Sequence, residues 1–517
     1  MPTITIDQRH LSVNPGETVL QAARAAGIEI PTLCYHDGKE AGASCMVCAV
    51  KLKHSGQFIP ACGSRCIDGM ELESDTPEVR GARRMALELL LSDHVGDCLS
   101  PCQRICPAHL GIPGVLEQIR AGAFGLAAAS IRRDLPMAGI LCRICHRPCE
   151  NGCRRNVHDG SVAIADLVTH TIETEHALGK LVLPPHATEG SDQVAIIGSG
   201  FAGLSAAWFL AQQGYSCTVI DQNSRLAETI RSAYPHLSPA LVDAELRVFE
   251  QVGIHFRCAT WIRDESELVE LTRVFKAVLL ATGPGSHTQA AALGLTAAGH
   301  QFATDKPSMM SSRAGVFVAG RAGTAGGQPV NAVAEGKAAA ACIHQHLTQM
   351  VVARPTKPFS IFMGKVLENE MPDFLKDASE APRRDIQAQA FDLQSAIEES
   401  RRCVHCHCAK ADHCQLRQLA IDYQVNVHRF RGAVRTRFQR NTEHPLVCFE
   451  EGKCIRCGNC IQAASAHQGA LGLTFIGRGF DVRLGVPFHA SMHDGLLEAA
   501  RDAVAACPTG ALSLRNA

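Results

Sequence analysis

The 517-residue chain lacks the signatures of most familiar chemistries. It has no nucleophile elbow, no H-E-x-x-H pair and no phosphate-binding P-loop, and its serines and histidines never fall at triad or metalloprotease spacing. The usual hydrolase, metalloprotease and triphosphatase mechanisms are thereby excluded. Neither sign of charge is in excess: 50 Lys and Arg stand against 51 Asp and Glu, a net charge of -1. Bulk electrostatics therefore offer nucleic acid nothing. The opening Met1-Pro-Thr-Ile-Thr-Ile alternates like a strand and does not read as a signal peptide, so a cytoplasmic location is expected. Long apolar runs are scarce as well. Val194–Ala211 carries no charge, but its three glycines sit at turn and packing spacing, which argues against a membrane span.

That stretch is the organising element. Val194–Ile197 predicts a strand, Gly198-Ser-Gly200-Phe-Ala-Gly203 a glycine fingerprint, then come a small-residue helix and a second strand ending at Asp221. Gly198 permits the tight turn, Gly200 lets a pyrophosphate approach the backbone, and Gly203 lets the helix pack on the strand. The phosphates are expected at the helix N-terminus, with Ser199 and Ala202 in the same turn. Asp221 stands where a carboxylate accepts from ribose hydroxyls. No second fingerprint occurs.

Cysteine is the compositional anomaly, with 24 residues. In a large chain read as intracellular, clustered thiols point to metal rather than disulfides. Nineteen fall into four groups; Cys66, Cys217, Cys258, Cys342 and Cys448 read as packing residues or spares. The first group is Cys34, Cys45, Cys48 and Cys62, three of them on or beside one loop of small residues. This suits a [2Fe–2S] cluster; zinc, the alternative, usually takes paired CxxC motifs. The second joins His94, Cys98, Cys102, Cys106, Cys142, Cys145, Cys149 and Cys153, eight candidate ligands for two [4Fe–4S] clusters. Cys403, Cys406, Cys408 and Cys414, packed into twelve residues, are expected to share one metal, either a [4Fe–4S] cluster or structural zinc. Cys454, Cys457, Cys460 and Cys507 complete a single [4Fe–4S] cluster.

IPTLCYHDGKEAGASCMVCAV, within residues 1–95, resembles the N-terminal ferredoxin-like domain of the large iron–sulfur subunit of NADH dehydrogenase, which NAD-linked hydrogenases and formate dehydrogenases share. The resemblance implies a β-grasp fold. CQRICPAHLGIP and CRICHRPCENGCRR resemble the helical domain of the glutamate synthase small subunit and of dihydropyrimidine dehydrogenase. That resemblance implies interleaved ligands: Cys98, Cys102 and Cys153 for one cluster, Cys106, Cys145 and Cys149 for the other. Where that family can use a glutamine, this chain has Val168, so Cys142 is the candidate fourth ligand. His94-x3-Cys98 is similar to the histidine-ligated site of the NADH dehydrogenase subunit and nominates His94. CIRCGNC and ACPTGAL resemble the two-cluster ferredoxin segment of the same subunits, with one cluster lost.

KAVLLATG (276–283), GVFVAGRAG (315–323) and NAVAEGKAA (331–339) resemble the closing segments of two-dinucleotide flavoproteins. The resemblance implies FAD, with Thr282, Gly283, Gly320, Arg321 and Asn331 in its site. The family has aspartate where this chain has Arg321, which could pair with phosphate. Glutamate synthase small subunits insert a whole NAD(P)H domain after the ATG strand; here only Pro284–Ala314 intervenes. A βαβ unit needs about 30 residues and a domain about 50 or more.

The expected architecture is multidomain, α/β and α+β: a [2Fe–2S] β-grasp domain (1–82), a helical domain with two [4Fe–4S] clusters (83–188), and a Rossmann-like FAD domain without its NAD(P)H insertion (189–350). A connector (351–395), a cysteine-rich segment (396–440) and a degenerate ferredoxin-like [4Fe–4S] domain (441–517) follow. One flavin and several clusters with no substrate-type constellation describe an electron conduit. The expected protein is an electron-transfer subunit of a soluble multi-subunit oxidoreductase. The resemblances imply an NADH-oxidising flavoprotein partner and a formate dehydrogenase- or hydrogenase-like catalytic partner, with ferredoxin as a further candidate; whether the flavin bifurcates electrons is left open. A self-sufficient NAD(P)H-dependent reductase of the glutamate synthase small-subunit type is the alternative, and an assembly scaffold with a decayed flavin site a third.

Overall fold

The computed structural model describes all residues except 180, 184–192, 285–286, 325, 385–389 and 516–517. Most of the expected linker 183–193, and the border drawn at 188, lie outside the described residues. The chain forms two compact units: residues 1–100, 359–377 and 405–517 make one, and residues 101–358 with 378–404 the other. This differs from the borders expected from sequence. The border at 82 falls inside the helix Pro77–Ser92, whose buried Val79, Leu87 and Leu91 commit it to the first unit. From the same helix Arg83 donates through Nε to the Ala49 carbonyl (3.0 Å) and through Nη1 to the Tyr423 hydroxyl (3.2 Å). The expected segment 396–440 is divided at residue 404.

In the first unit, β1 (Thr3–Ile6), β2 (Arg9–Ser12), β3 (Ala49–Leu52), β4 (Phe58–Pro60) and β5 (Glu71–Glu73) form a mixed sheet in the order β2-β1-β5-β3-β4. β1 and β5 run parallel; the other pairings are antiparallel. Period-two alternation turns Ile4 and Ile6 of β1 inward. They pack with Val19 and Leu20 of the helix Val19–Ala25, which Thr18 and Gln21 start with a reciprocal cap. Near the C-terminus, strands Arg440–Asn441, Val447–Glu450 and Leu512–Leu514 form a second, antiparallel sheet. It shares a core with helices Asn459–Ala464 and Ala500–Ala506.

The second unit is built on a parallel sheet of β6 (Gln193–Ile197), β7 (Ser216–Ile220), β8 (His255–Arg257), β9 (Ala277–Leu280) and β12 (Val316–Val318), ordered β12-β9-β6-β7-β8. Between β9 and β12 lie one short helix (His287–Ala292) and a hairpin of β10 (Ala297–Ala298) and β11 (Gln301–Phe302). No additional parallel strands occur in that interval among the described residues. The chain turns from β8 back across β6 to β9, so the strand order reverses beside β6. At such a reversal the loops leaving the strand ends diverge and leave a crevice.

The helix Phe201–Ala211 is buried on every side, and the helix Pro329–Leu347 packs against it. A Cβ on Gly336 would overlap the Ala202 carbonyl, so small residues set this helix spacing. At eleven residues, the buried helix is a core element; among the described residues no helix is long and apolar enough to cross a membrane. Helices Ile112–Arg120, Phe124–Asp134, Ala138–Ile144 and Ile164–Leu178 join the same apolar core. Within it Arg132 pairs with Glu175, both side chains 1% exposed, and Trp208 Nε1 donates to the Arg132 carbonyl (2.9 Å).

Candidate functional site

The crevice at the strand reversal is a cleft in two connected parts. One, about 1400 Å³, is lined by Gly198, Ser199, Gly200, Asp221, Asn223, Thr260, Arg263, Thr282 and Gly283. The other, about 1410 Å³, is lined by Gly200, Ala202, Gly320, Arg321, Gln328 and Asn331. Gly200 and Gly283 line both. All eleven residues expected at a dinucleotide from sequence therefore face the cleft or, as Gly203 does, support it.

The three fingerprint glycines differ physically. Gly198 adopts φ +111°, a backbone that L side chains rarely adopt, and a Cβ there would overlap the Ala281 carbonyl. A Cβ on Gly203 would overlap the Gly198 carbonyl, so the helix can sit on β6 only without one. Gly200 has nothing within 4 Å of a would-be Cβ; its open side is the cleft. Thr282 Oγ1 is buried without a hydrogen-bond partner among the described residues, a polar group left for something in the cleft. An open helix N-terminus and this orphaned hydroxyl fit a phosphate-bearing ligand.

Asp221 also braces the fingerprint turn. Its Oδ2 accepts from Ser199 N–H (2.7 Å) and Ser199 Oγ (2.6 Å), and its Oδ1 from Asn223 N–H (2.8 Å) and Nδ2 (2.9 Å). Ser199 Oγ in turn accepts from Ala227 N–H (2.9 Å). The carboxylate ties the fingerprint turn to the end of β7 while still lining the cleft. Asn223, Thr260, Arg263 and Gln328 line the cleft and were not singled out from sequence, because no local spacing marks them. Arg321 is exposed at the cleft on a short 3-10 turn (Gly320–Ala322).

The thiols of the second unit gather where residues far apart in sequence meet. Cys106, Cys142, Cys145 and Cys149 line one small cavity, together with Val168. Cys142 thus shares a cavity with the position where the resembled family can place glutamine. Burial pushes the Cys106 and Cys142 thiols up. Cys102 and Cys153 lie on adjoining segments, since a Cβ on the intervening Gly152 would approach the Pro101 carbonyl at 3.4 Å. Cys403 belongs to this unit as well.

In the first unit Cys34, Cys45, Cys48 and Cys62 are all buried and near enough to hydrogen-bond one another. Cys454, Cys457, Cys460 and Cys507 line a second small cavity. Burial pushes Cys454 up to about 11 and Cys457 up to about 12. These two groups adjoin: a Cβ on Gly42, in the first loop, would lie 3.3 Å from the Cys457 carbonyl, and Asn459 Nδ2 donates to the Leu33 carbonyl (3.1 Å). Cys98, Cys406, Cys408, Cys414 and His94 also belong to this unit. Among the described residues no three histidine, cysteine, aspartate or glutamate side chains converge on a single-ion site.

Three family models match this chain. A 2Fe-2S iron-sulfur cluster binding domain matches residues 1–77, the dihydropyrimidine dehydrogenase domain II, 4Fe-4S cluster, residues 94–180, and an NAD(P)-binding Rossmann-like domain residues 196–257. The chain is similar to subunits of redox complexes. It is 32% identical over 195 residues to the NADPH-Fe(3+) oxidoreductase subunit beta of Geobacter sulfurreducens, covering 36% of this chain and 28% of that one. It is 30% identical over 207 residues to the NADP(+)-dependent formate dehydrogenase subunit beta of Moorella thermoacetica (36% and 29% covered). To the NADP-reducing hydrogenase subunit HndD of Solidesulfovibrio fructosivorans it is 35% identical over 182 residues (32% and 31%). The matched stretches span less than a third of these relatives' lengths. The resemblances to iron–sulfur and nucleotide-binding modules drawn from sequence agree with these matches.

Proposed function

We propose that this chain is an electron-transfer subunit of a multi-subunit oxidoreductase, joining an NADH-oxidising flavoprotein partner to a formate dehydrogenase- or hydrogenase-like catalytic partner. The observation that carries this role is the adjacency of two groups of four thiols in the first unit, with Gly42 against the Cys457 carbonyl. Thiolates so placed would hold clusters close enough for electrons to pass. Cys34, Cys45, Cys48 and Cys62 would hold a [2Fe–2S] cluster in a β-grasp domain; Cys454, Cys457, Cys460 and Cys507 a [4Fe–4S] cluster. In the second unit Cys106, Cys142, Cys145 and Cys149 would hold another [4Fe–4S] cluster, and the cleft around Gly200 would hold FAD. When bound, clusters exchange one electron at a time and a flavin one or two. The protein's part is to exclude water from the thiolates, supply backbone donors and fix the flavin's phosphates at the helix N-terminus.

Anaerobic purification followed by iron and flavin counts tests this role. About eighteen irons per chain (one [2Fe–2S] and four [4Fe–4S] clusters) and one FAD are expected, with no bleaching when NADH is added to the isolated chain. Rapid bleaching would overturn the conduit and favour a self-sufficient reductase.

The Cys142 assignment has its own check. Cys142→Ser should lose about four irons per chain, whereas Cys217→Ser, altering a thiol inside β7, should lose none. Wild-type iron in the Cys142 variant would remove it from the ligand set.

A further inference from the structure

Cys403, Cys406, Cys408 and Cys414 read from sequence as one site, yet the structure gives Cys408 and Cys414 different company. The Cys408 N–H donates to the Cys98 carbonyl (3.3 Å), and the next residue back, His407, pairs with Asp97 in a parallel bridge. Cys98 and Cys414 enter one apolar cluster with Ile361 and Leu416. The Cys98 sulfur already accepts from the Ile361 N–H (3.5 Å), and the Cys414 sulfur from the Arg417 N–H (3.4 Å). Backbone donors aimed at sulfur are what cluster thiolates need in a buried site. The Cys408 sulfur rests directly on the Cα of Gly510, where a Cβ would overlap it.

A cation and a histidine close the other side. Lys453 is buried with its stem beside Gly96, whose Cβ would come within 2.6 Å of Cε, and its Cδ also nears Gly510. His94 is half-buried near Lys453 and Glu450, and its Nδ1 is buried with no hydrogen-bond partner among the described residues. His407 is half-buried nearby, and its buried Nδ1 also lacks a hydrogen-bond partner among the described residues.

We propose that His94, Cys98, Cys408 and Cys414 hold one [4Fe–4S] cluster, whose ligand set is divided by about 300 residues of intervening chain. On this assignment the second unit is inserted between the two halves of a site belonging to the first. Cys98 then leaves the set with Cys102 and Cys153, and Cys408 and Cys414 leave the set with Cys403. The proposal rests on the iron–sulfur character of the chain set out above.

The test is iron content and EPR of the anaerobically purified full chain. Cys98→Ser, Cys408→Ser and Cys414→Ser should each lose about four irons, and the Cys98→Ser/Cys408→Ser double variant no more than either single. His94→Cys should keep the iron and shift the EPR signal of that one cluster, while His407→Ala leaves both unchanged. Additive loss, about eight irons in the double variant, would place Cys98 and Cys408 in different clusters and overturn the proposal, leaving the electron-transfer role standing. A wild-type chain without iron would overturn both. Should the serine variants not fold, a short dithiol-reactive cross-linker on the wild-type apoprotein, read by peptide mass mapping, decides instead. Cys98 joined to Cys408 or Cys414 supports the divided site, and cross-links confined to residues 403–414 refute it.

Discussion

Glu450→Gln is expected to destabilise the protein by about 3–5 kcal/mol, the cost of leaving buried charge uncompensated. Glu450 Oε1 accepts from Arg440 Nε (3.0 Å) and Nη2 (2.9 Å), and Oε2 accepts from Lys453 Nζ. The three side chains are 8%, 7% and 2% exposed, respectively. Glutamine would keep the shape but leave two buried cations facing a neutral amide. Arg440 also lies 5.6 Å from the ring centres of Phe374 and Phe438, so its displacement would disturb that stacked pair. The effect should depend on pH in a definite direction. Burial would raise the Glu450 carboxyl, but the Lys453 and Arg440 charges prevail and hold it down at about 2, against an ordinary 4.5. A depressed carboxyl stabilises fully above its unfolded pKa, and that contribution fades as pH falls toward about 2. Denaturant titrations at neutral pH should therefore separate the variant from wild type, and the gap should narrow in acid. Equal midpoints at neutral pH would show that the triad contributes no net stability.

Two alanine substitutions one turn apart are expected to behave differently. Gly203→Ala puts a methyl group into the Gly198 carbonyl, with Ala281 Cβ only 3.3 Å away on another side. Backbone cannot yield as a side chain does, so the helix must lift from β6. A cost of about 3 kcal/mol or more, together with loss of flavin, is expected. Gly200→Ala meets no atom within 4 Å, and the residue's φ of -78° suits any amino acid. Its folding cost should stay at about 1 kcal/mol or less, yet its methyl would stand where the phosphates must approach. Thermal unfolding and extracted flavin, measured together, check both. Full flavin in a stable Gly200→Ala protein would mean that the phosphates do not sit on this helix N-terminus.

Local spacing determined much of this protein. Within a few residues the chain's own reach limits where side chains can go, so Gly198, Gly200 and Gly203 announce a turn, an open backbone and a close packing within six residues. For the same reason, Cys454, Cys457 and Cys460 declare one site, and the short interval after Gly283 leaves no room for another nucleotide-binding domain. Cysteines and glycines are legible because few other residues can do what they do.

Tertiary structure decided what spacing could not. Asp221 sits where a ribose-binding acid is expected, but the fold places Ser199 and Asn223 around both of its oxygens. Cys142 and Val168 line one cavity because their helices cross there, a pairing with no trace in either neighbourhood. The helix Pro77–Ser92 belongs with the first sheet because Arg83 reaches the Ala49 carbonyl. Most of all, four cysteines within twelve residues suggested one site, and the fold sets the Cys408 backbone against that of Cys98, more than 300 residues away in sequence. Proximity in sequence bounds how far apart two side chains can be. It does not fix which distant chain segment folds in between them, and that was settled only by the packing of the completed core.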